Sequence, residues 1–251
     1  MFTIARPAGP AVLALLVLAS CRGSASVAEP PVSPLLAGRR GLDHNRLTPA
    51  QVEEGWELLF DGQTTRGWRT FRRSSLVGGW EVENGCLART GPGGDLVTTE
   101  RFEDFVLELE WRIAPGGDSG VLFRVAERES EAGHSGPEYQ LVDNSSIGRA
   151  GDRRETAGAN RGLHAPTVDA TRLVGEFNRS RLEVRGDRVR HWLNGEPVVE
   201  YRLGDEDWAR RVAAGEFGER PGYGRTRRGH VALQDGGSGV WFRNVRILRL
   251  R

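Results

Sequence analysis

The sequence predicts an all-β fold of antiparallel strands, a β-sandwich or jelly roll with one or two short helices. Three observations carry this prediction. Phe105, Leu107, Leu109, Trp111 and Ile113 fall on one face of an alternating run, with Glu108, Glu110 and Arg112 on the other. That alternation marks a half-buried antiparallel strand. Tight-turn pairs recur downstream, Gly186-Asp187 and Asn194-Gly195 among them. The 34 Gly and 12 Pro in 251 residues supply turns for many strands.

The elements follow in order. Thr48-Pro49-Ala50-Gln51 has the form of a capping box, with Thr48 as N-cap and Pro at the first helical position. It opens a one- or two-turn helix that ends at Gly55. Ser119–Val125 is a second strand, after the turn Pro115-Gly116-Gly117-Asp118. Arg181–Arg185 and Arg188–Leu193 form a hairpin, and Asn194-Gly195 turns into Pro197–Tyr201. Asp205, Glu206 and Asp207 place negative charge at the start of a helix over 205–214. Val231–Gln234 and Val240–Leu248 close the chain. Trp56, Trp68, Trp80, Trp111 and Cys86 read as core residues, and His191 as a packing residue.

Composition narrows the function. The 35 basic residues face 34 acidic ones, so the large basic excess of a dedicated nucleic-acid binder is missing. All the basic residues are Arg, which excludes Schiff-base lysine chemistry and a phosphate-loop lysine. No nucleotide cofactor is expected. Near the start, Arg6 precedes an apolar run, Ala11–Ala19, of the length of a signal h-region. The run ends in Leu18-Ala19-Ser20-Cys21, which resembles a bacterial lipobox. This organisation implies a signal peptide over 1–20, an acylated Cys21 with a flexible tether over 21–41, and a folded domain over 42–251. The expected location is the bacterial cell envelope, with the lipid anchor as the sole membrane attachment.

Strand parity nominates polar residues. Glu138 and Gln140 share a face opposite Tyr139 and Leu141, and His230 and Gln234 share a face opposite Val231 and Leu233. Arg124 opposes Phe123 and Val125. Such a face fits either a sugar-binding surface or a solvated outer face. Trp192 and Trp241 are open to two readings, stacking on a sugar or packing under the 205–214 helix. Asp118 and Asp143 read as turn residues, with a Ca²⁺ site as the alternative.

Several blocks resemble the 3-keto-disaccharide hydrolase family, of the concanavalin A-like lectin and glucanase class. They include GWELLFDGQTTRGW (55–68), GDLVTTERFEDFVLELEWRI (94–113), GGDSGVLFR (116–124), GPEYQLVDN (136–144), TAGANRGLHAP (156–166) and GHVALQD (229–235). The resemblance runs from about residue 48 to the end. It implies a two-sheet jelly roll and cleavage of glycosides already oxidised at carbon 3. A base removes the carbon 2 proton, the carbon 1 substituent leaves, and water adds to the resulting glucal. A divalent metal is one way to stabilise the enolate. A sugar 3-oxidoreductase would supply the substrate. Under this reading His164 or His230 is the base, Glu138 completes the catalytic set, and Arg124, Gln140, Gln234 and Asn160 bind substrate. The chain departs from the family in three places. Gly236 stands where many members carry His, Ser145-Ser146-Ile147 where a His is frequent, and Arg161 where Tyr is usual. The alternative is a non-catalytic carbohydrate-binding module on a lipoprotein anchor.

Overall fold

A computed structural model of the protein describes Met1 and residues 44–148 and 150–250. The expected signal peptide, Cys21 and the 21–41 tether lie outside the described residues.

The chain begins with α1 (Pro49–Glu54), β1 (Trp56–Leu58), β2 (Trp68–Thr70), β3 (Trp80–Glu83), β4 (Cys86–Arg89) and β5 (Leu96–Thr98). Next come β6 (Phe105–Ile113), β7 (Asp118–Val125), β8 (Glu138–Val142) and α2 (Asn144–Ile147). The last third holds β9 (Asn178–Arg185), β10 (Arg188–Leu193), β11 (Glu196–Arg202), α3 (Glu206–Ala214), β12 (His230–Leu233) and β13 (Val240–Arg249).

These strands form two antiparallel sheets, the expected jelly-roll sandwich. One has eight strands in the order β11-β10-β9-β6-β13-β4-β3, with β1 also paired to β13. The other has five, in the order β2-β5-β12-β7-β8. The apolar face of β6 packs into the space between them, with Phe105, Leu107, Leu109, Trp111 and Ile113 all buried. Phe123 and Leu141 meet it from the smaller sheet. Local chemistry sets the ends of the short helices. Thr48 and Gln51 complete the capping box, and Gly55 takes the left-handed conformation (φ 90°) that ends α1. Asp205 caps α3 through the Trp208 N–H.

The five-stranded sheet positions the candidate site. On its outer face, register aligns Arg69, Val97, Ala232, Leu122 and Glu138 across the strands. Gln140 lies beside Gly120, and Gln234 reaches the same place through its N–H to the Gly120 carbonyl, 2.9 Å. One end of this face is closed by a small apolar cluster of Val97, Leu122, Val125, Ala132 and Ala232. The rest opens into a cleft of about 550 Å³.

Candidate active site

Glu138 lines this cleft with Gln234, Asp95, Asp235, Arg161 and Tyr223. Glu138 is 4% exposed. Gln234 Nε2 donates to Oε2 at 3.3 Å, while Oε1 is buried without a hydrogen-bond partner. Gly120 makes room for this carboxyl, because a Cβ there would overlap its atoms. Burial pushes the Glu138 pKa up to about 8. The Arg161 charge opposes that rise, and the neighbouring Asp118 and Asp95 add to it. A carboxyl tuned near neutrality with one oxygen free is equipped to take a proton.

Two neighbours can respond to negative charge on a bound molecule. Arg161 donates its backbone N–H to the Glu138 carbonyl at 3.0 Å, so the peptide ladder itself holds it beside the carboxyl. Its guanidinium is anchored by Glu216 at 2.9 Å and Glu155 at 3.4 Å. Tyr223 is clamped between Trp208 and Phe217, with ring centroids 5.6 and 4.1 Å away. Its Oη is buried without a partner. Burial raises its pKa well above the ordinary phenol value, and the Glu138 charge adds to the rise. The phenol therefore keeps its proton and remains a hydrogen-bond donor.

Gln140 lies on the same face but outside the cleft lining, with Nε2 donating to Asp118 Oδ1 at 3.0 Å and Oε1 buried without a partner. Asp235 is committed to structure. It pairs with Arg89 and accepts the N–H groups of Gly93 and Gly94, both at 2.9 Å. Asp143 likewise takes the Gly116 and Ser145 N–H groups, at 2.8 and 3.0 Å, as a turn and helix cap. Among the described residues no three His, Cys, Asp or Glu side chains gather as a metal site. Of the carboxylates lining the cleft, Glu138 keeps one unpartnered oxygen, Asp95 accepts the Asp235 N–H at 2.8 Å and Asp235 pairs with Arg89. This set does not fit the expected divalent metal, and no step below is routed through one.

The structure therefore corrects several sequence expectations. His164 does not offer a free lone pair. Nε2 lies 3.3 Å from Asp207 Oδ2, so it carries the proton, and Nδ1 accepts from Asn160 Nδ2 at 3.0 Å. The ring stacks on Tyr201, 4.8 Å between centroids, and burial lowers its pKa. Asn160 is fully buried in the same network and forms a bridge to Tyr139, so it does not line the cleft. His230 shares the outer face, yet its Nδ1 donates to the Thr98 carbonyl at 2.7 Å. Its Nε2 faces the Arg101 Nε–H at 3.2 Å. Burial lowers the pKa of both imidazoles, each ring nitrogen has a partner within the fold, and neither ring lines the Glu138 cleft, so the geometry favours Glu138 over them.

Arg124 fails for a backbone reason. The β7–β12 pairing shifts register between His230 and Ala232, and Arg124 adopts φ 55°. This bulge interrupts the period-two alternation, so Val125 joins the outer-face cluster and Arg124 turns to the Gly186 carbonyl. Trp192 and Trp241 sit on the far side, on the eight-stranded sheet. Arg181 and Arg190 lie over Trp192 at 5.4 and 5.1 Å, and Arg112 lies over Trp241 at 4.4 Å. Gly236 abuts the Asp118 carbonyl, where a Cβ would overlap backbone atoms, so this conformation leaves no room for the family histidine.

Arg161 and Tyr223 line the cleft without having been nominated by sequence reasoning. Arg161 left one trace in the sequence, a departure where the family usually has Tyr. Tyr223 sits in a Gly-Tyr-Gly loop, and alternation says nothing about loops.

Fold and cleft together define a jelly-roll sandwich with a buried, near-neutral carboxyl at the bottom of a polar groove, an architecture suited to small polyhydroxylated ligands. Residues 55–248 match the 3-keto-alpha-glucoside-1,2-lyase-like domain, and the chain belongs to that family. A 3-keto-disaccharide hydrolase from Bacteroides thetaiotaomicron is 29% identical over 228 residues, spanning 77% of this chain and 78% of that one. A crystal structure of a Parabacteroides distasonis protein assigned as a glycosyl hydrolase is 32% identical. It covers 83% of this chain and 100% of its own, with a TM-score of 0.76. A second structure from the same organism, 23% identical, shares the fold with a TM-score of 0.60 over 78% of this chain and 99% of its own.

Proposed function

We propose that this protein cleaves 3-keto-glycosides by removing the carbon 2 proton, with Glu138 as the base. One observation carries the reading: the cleft holds a buried carboxyl near pKa 8 with an unpartnered oxygen. The family supplies the substrate class, since the B. thetaiotaomicron relative is a 3-keto-disaccharide hydrolase.

The ketone at carbon 3 acidifies the neighbouring hydrogen. Ionised Glu138 takes that proton, and the C–H electron pair moves to form an enolate with its charge on the carbon 3 oxygen. Tyr223 Oη donates to this oxygen and the Arg161 cation offsets the charge. The arrangement follows a known pattern, in which a carboxylate base works beside an uncharged phenol donor. Collapse of the enolate restores the ketone, forms a double bond between carbons 1 and 2 and breaks the bond to the carbon 1 oxygen. Protonated Glu138 returns its proton to that departing oxygen. Water then adds across the double bond, so the net result is hydrolysis. Gln234 holds the Glu138 carboxyl in place. This chemistry does not use the two opposed carboxylates of ordinary glycosidases.

The same proposal places the protein in the cell envelope, held by lipid on Cys21 and fed by a sugar 3-oxidoreductase. Radiolabelled palmitate incorporation that is lost in Cys21→Ser would support the anchor, and equal labelling would refute it. For the chemistry, the protein is incubated with a 3-keto-disaccharide in the presence and absence of a chelator, and products are followed by mass spectrometry. The reading predicts a 3-keto-monosaccharide or its glucal, unaffected by the chelator and absent with Glu138→Gln. Saturable sugar binding without any product would favour the binding-module alternative.

A further inference from the structure

A second cavity, about 770 Å³, lies on the other side of the loop that carries Tyr223. Its lining includes Arg124, Arg220, Arg225 and Arg227, with the edge of Trp208, whose ring is stacked between Tyr201 and Tyr223. The carboxylates nearby are already engaged. Asp187 pairs with Arg202 at 2.8 Å, Glu103 pairs with Arg227 at 3.0 Å, and Asp104 accepts the Gly186 N–H at 3.0 Å.

Arg124 sets this cavity apart. It is 4% exposed, although arginine is rarely buried without a partner. Among the described residues only Nη2 finds an acceptor, the Gly186 carbonyl, and Nε finds none. No carboxylate of the described residues forms an ion pair with it. Burial accordingly pulls its pKa down, and the Asp104 charge offsets this only in part. A sealed guanidinium with unused donors carries a desolvation cost that an anion would offset. The planar fork suits a two-oxygen anion, and the exposed Arg225 adds attraction at the mouth.

We propose that this cavity is a binding site for a small-molecule oxyanion, a carboxylate or phosphate group. Glu138 does not line it, although Tyr223 and Arg220 border both cavities, and the proposal does not depend on the chemistry proposed there. The left-handed backbone at position 124 follows from the bulge, and the bulge is what delivers the guanidinium to the cavity instead of the cleft.

The test is calorimetric titration of the full chain with inorganic phosphate and with glucuronate, at matched ionic strength. Glucose and chloride serve as controls. The proposal predicts saturable binding of at least one oxyanion and none of glucose. A preference for phosphate or for glucuronate identifies the source of the anionic group. Arg124→Gln should weaken binding by about 10-fold or more, as expected for loss of a charge-assisted hydrogen bond. Arg225→Ser leaves the core untouched and should weaken binding about 3-fold through lost Coulomb attraction, with an unchanged melting temperature. If neither oxyanion binds saturably at millimolar concentration, or if Arg225→Ser and a folded Arg124→Gln bind like the parent protein, the site does not exist.

Discussion

Glu108 and Glu138 are the same residue type in the same kind of place, and the protein treats them in opposite ways. Each projects from the outer face of a sheet, and each is almost sealed, at 6% and 4% exposure. Glu108 is met by Arg246, Arg179 and Arg181 at 2.6, 2.8 and 3.1 Å. Burial pushes its pKa up, but the hydrogen bonds and charges of Arg246 and Arg179 outweigh burial and hold it below the ordinary value. Glu138 has one amide neighbour and an empty oxygen, and burial carries it to about 8. The eight-stranded sheet uses its carboxylates as mortar, with Glu110–Arg243 and Glu183–Arg190 repeating the motif. The five-stranded sheet leaves Glu138 and Gln140 unsatisfied. The proposed site is the one where a buried carboxylate is left without an arginine partner.

This contrast can be broken from either side. The largest effect is expected from Glu138→Gln, which should lower turnover by roughly 10²–10⁴-fold, the usual contribution of a general base. It should also stabilise the fold at alkaline pH. Glu138 binds its proton more tightly folded than unfolded, so its contribution costs stability as pH rises from about 4.5 to about 8. The variant escapes that cost, so its melting temperature should exceed the parent's by more at pH 9 than at pH 5. Equal differences at both values would mean that the carboxyl is not perturbed.

Tyr223→Phe should cost about 10–10²-fold in turnover, by loss of one oxyanion donor. Its melting temperature should be unchanged or slightly raised, because the deleted hydroxyl has no partner to lose. A large fall in stability with full activity would assign Tyr223 to structure alone. Gly120→Ala pushes a methyl group into the Glu138 carboxyl. Turnover should fall by about 10-fold, with the pH profile displaced because the carboxyl has moved.

The two smallest effects test the structural side. His164→Ala should destabilise by about 1–3 kcal/mol, since it strands Asn160 Nδ2 and removes the ring stacked on Tyr201. Activity per folded molecule should stay within about 2-fold, and a catalytic collapse in a stable variant would restore His164 as the base. Glu108→Gln should cost roughly 1–2 kcal/mol, less than a fully sealed pair because its arginines reach solvent. Turnover should not respond, and urea denaturation with steady-state assays would show both.

What was legible in the sequence was what local chemistry decides. The capping box at Thr48 and Gln51, the alternation of β6 and the shared face of Glu138 and Gln140 all follow from near neighbours. What was not legible depended on distant partners. The tautomer of His164 is set by Asp207, 43 positions away, and that of His230 by Thr98, 132 positions away. Arg124 was misplaced because parity presumes an unbroken ladder, and the bulge inserts a residue. Tyr223 and Arg161 come from loops whose approach to Glu138 is created by the fold.

The most direct test of the central claim is the pH dependence of kcat/KM on a 3-keto-disaccharide, measured from pH 5 to 10. This parameter reports the ionisation of the free enzyme. The account predicts a rate that climbs with pH and levels above an apparent pKa near 8, with that limb missing from the residual activity of Glu138→Gln. A flat profile, or a limb near the ordinary histidine value that survives Glu138→Gln, would contradict it.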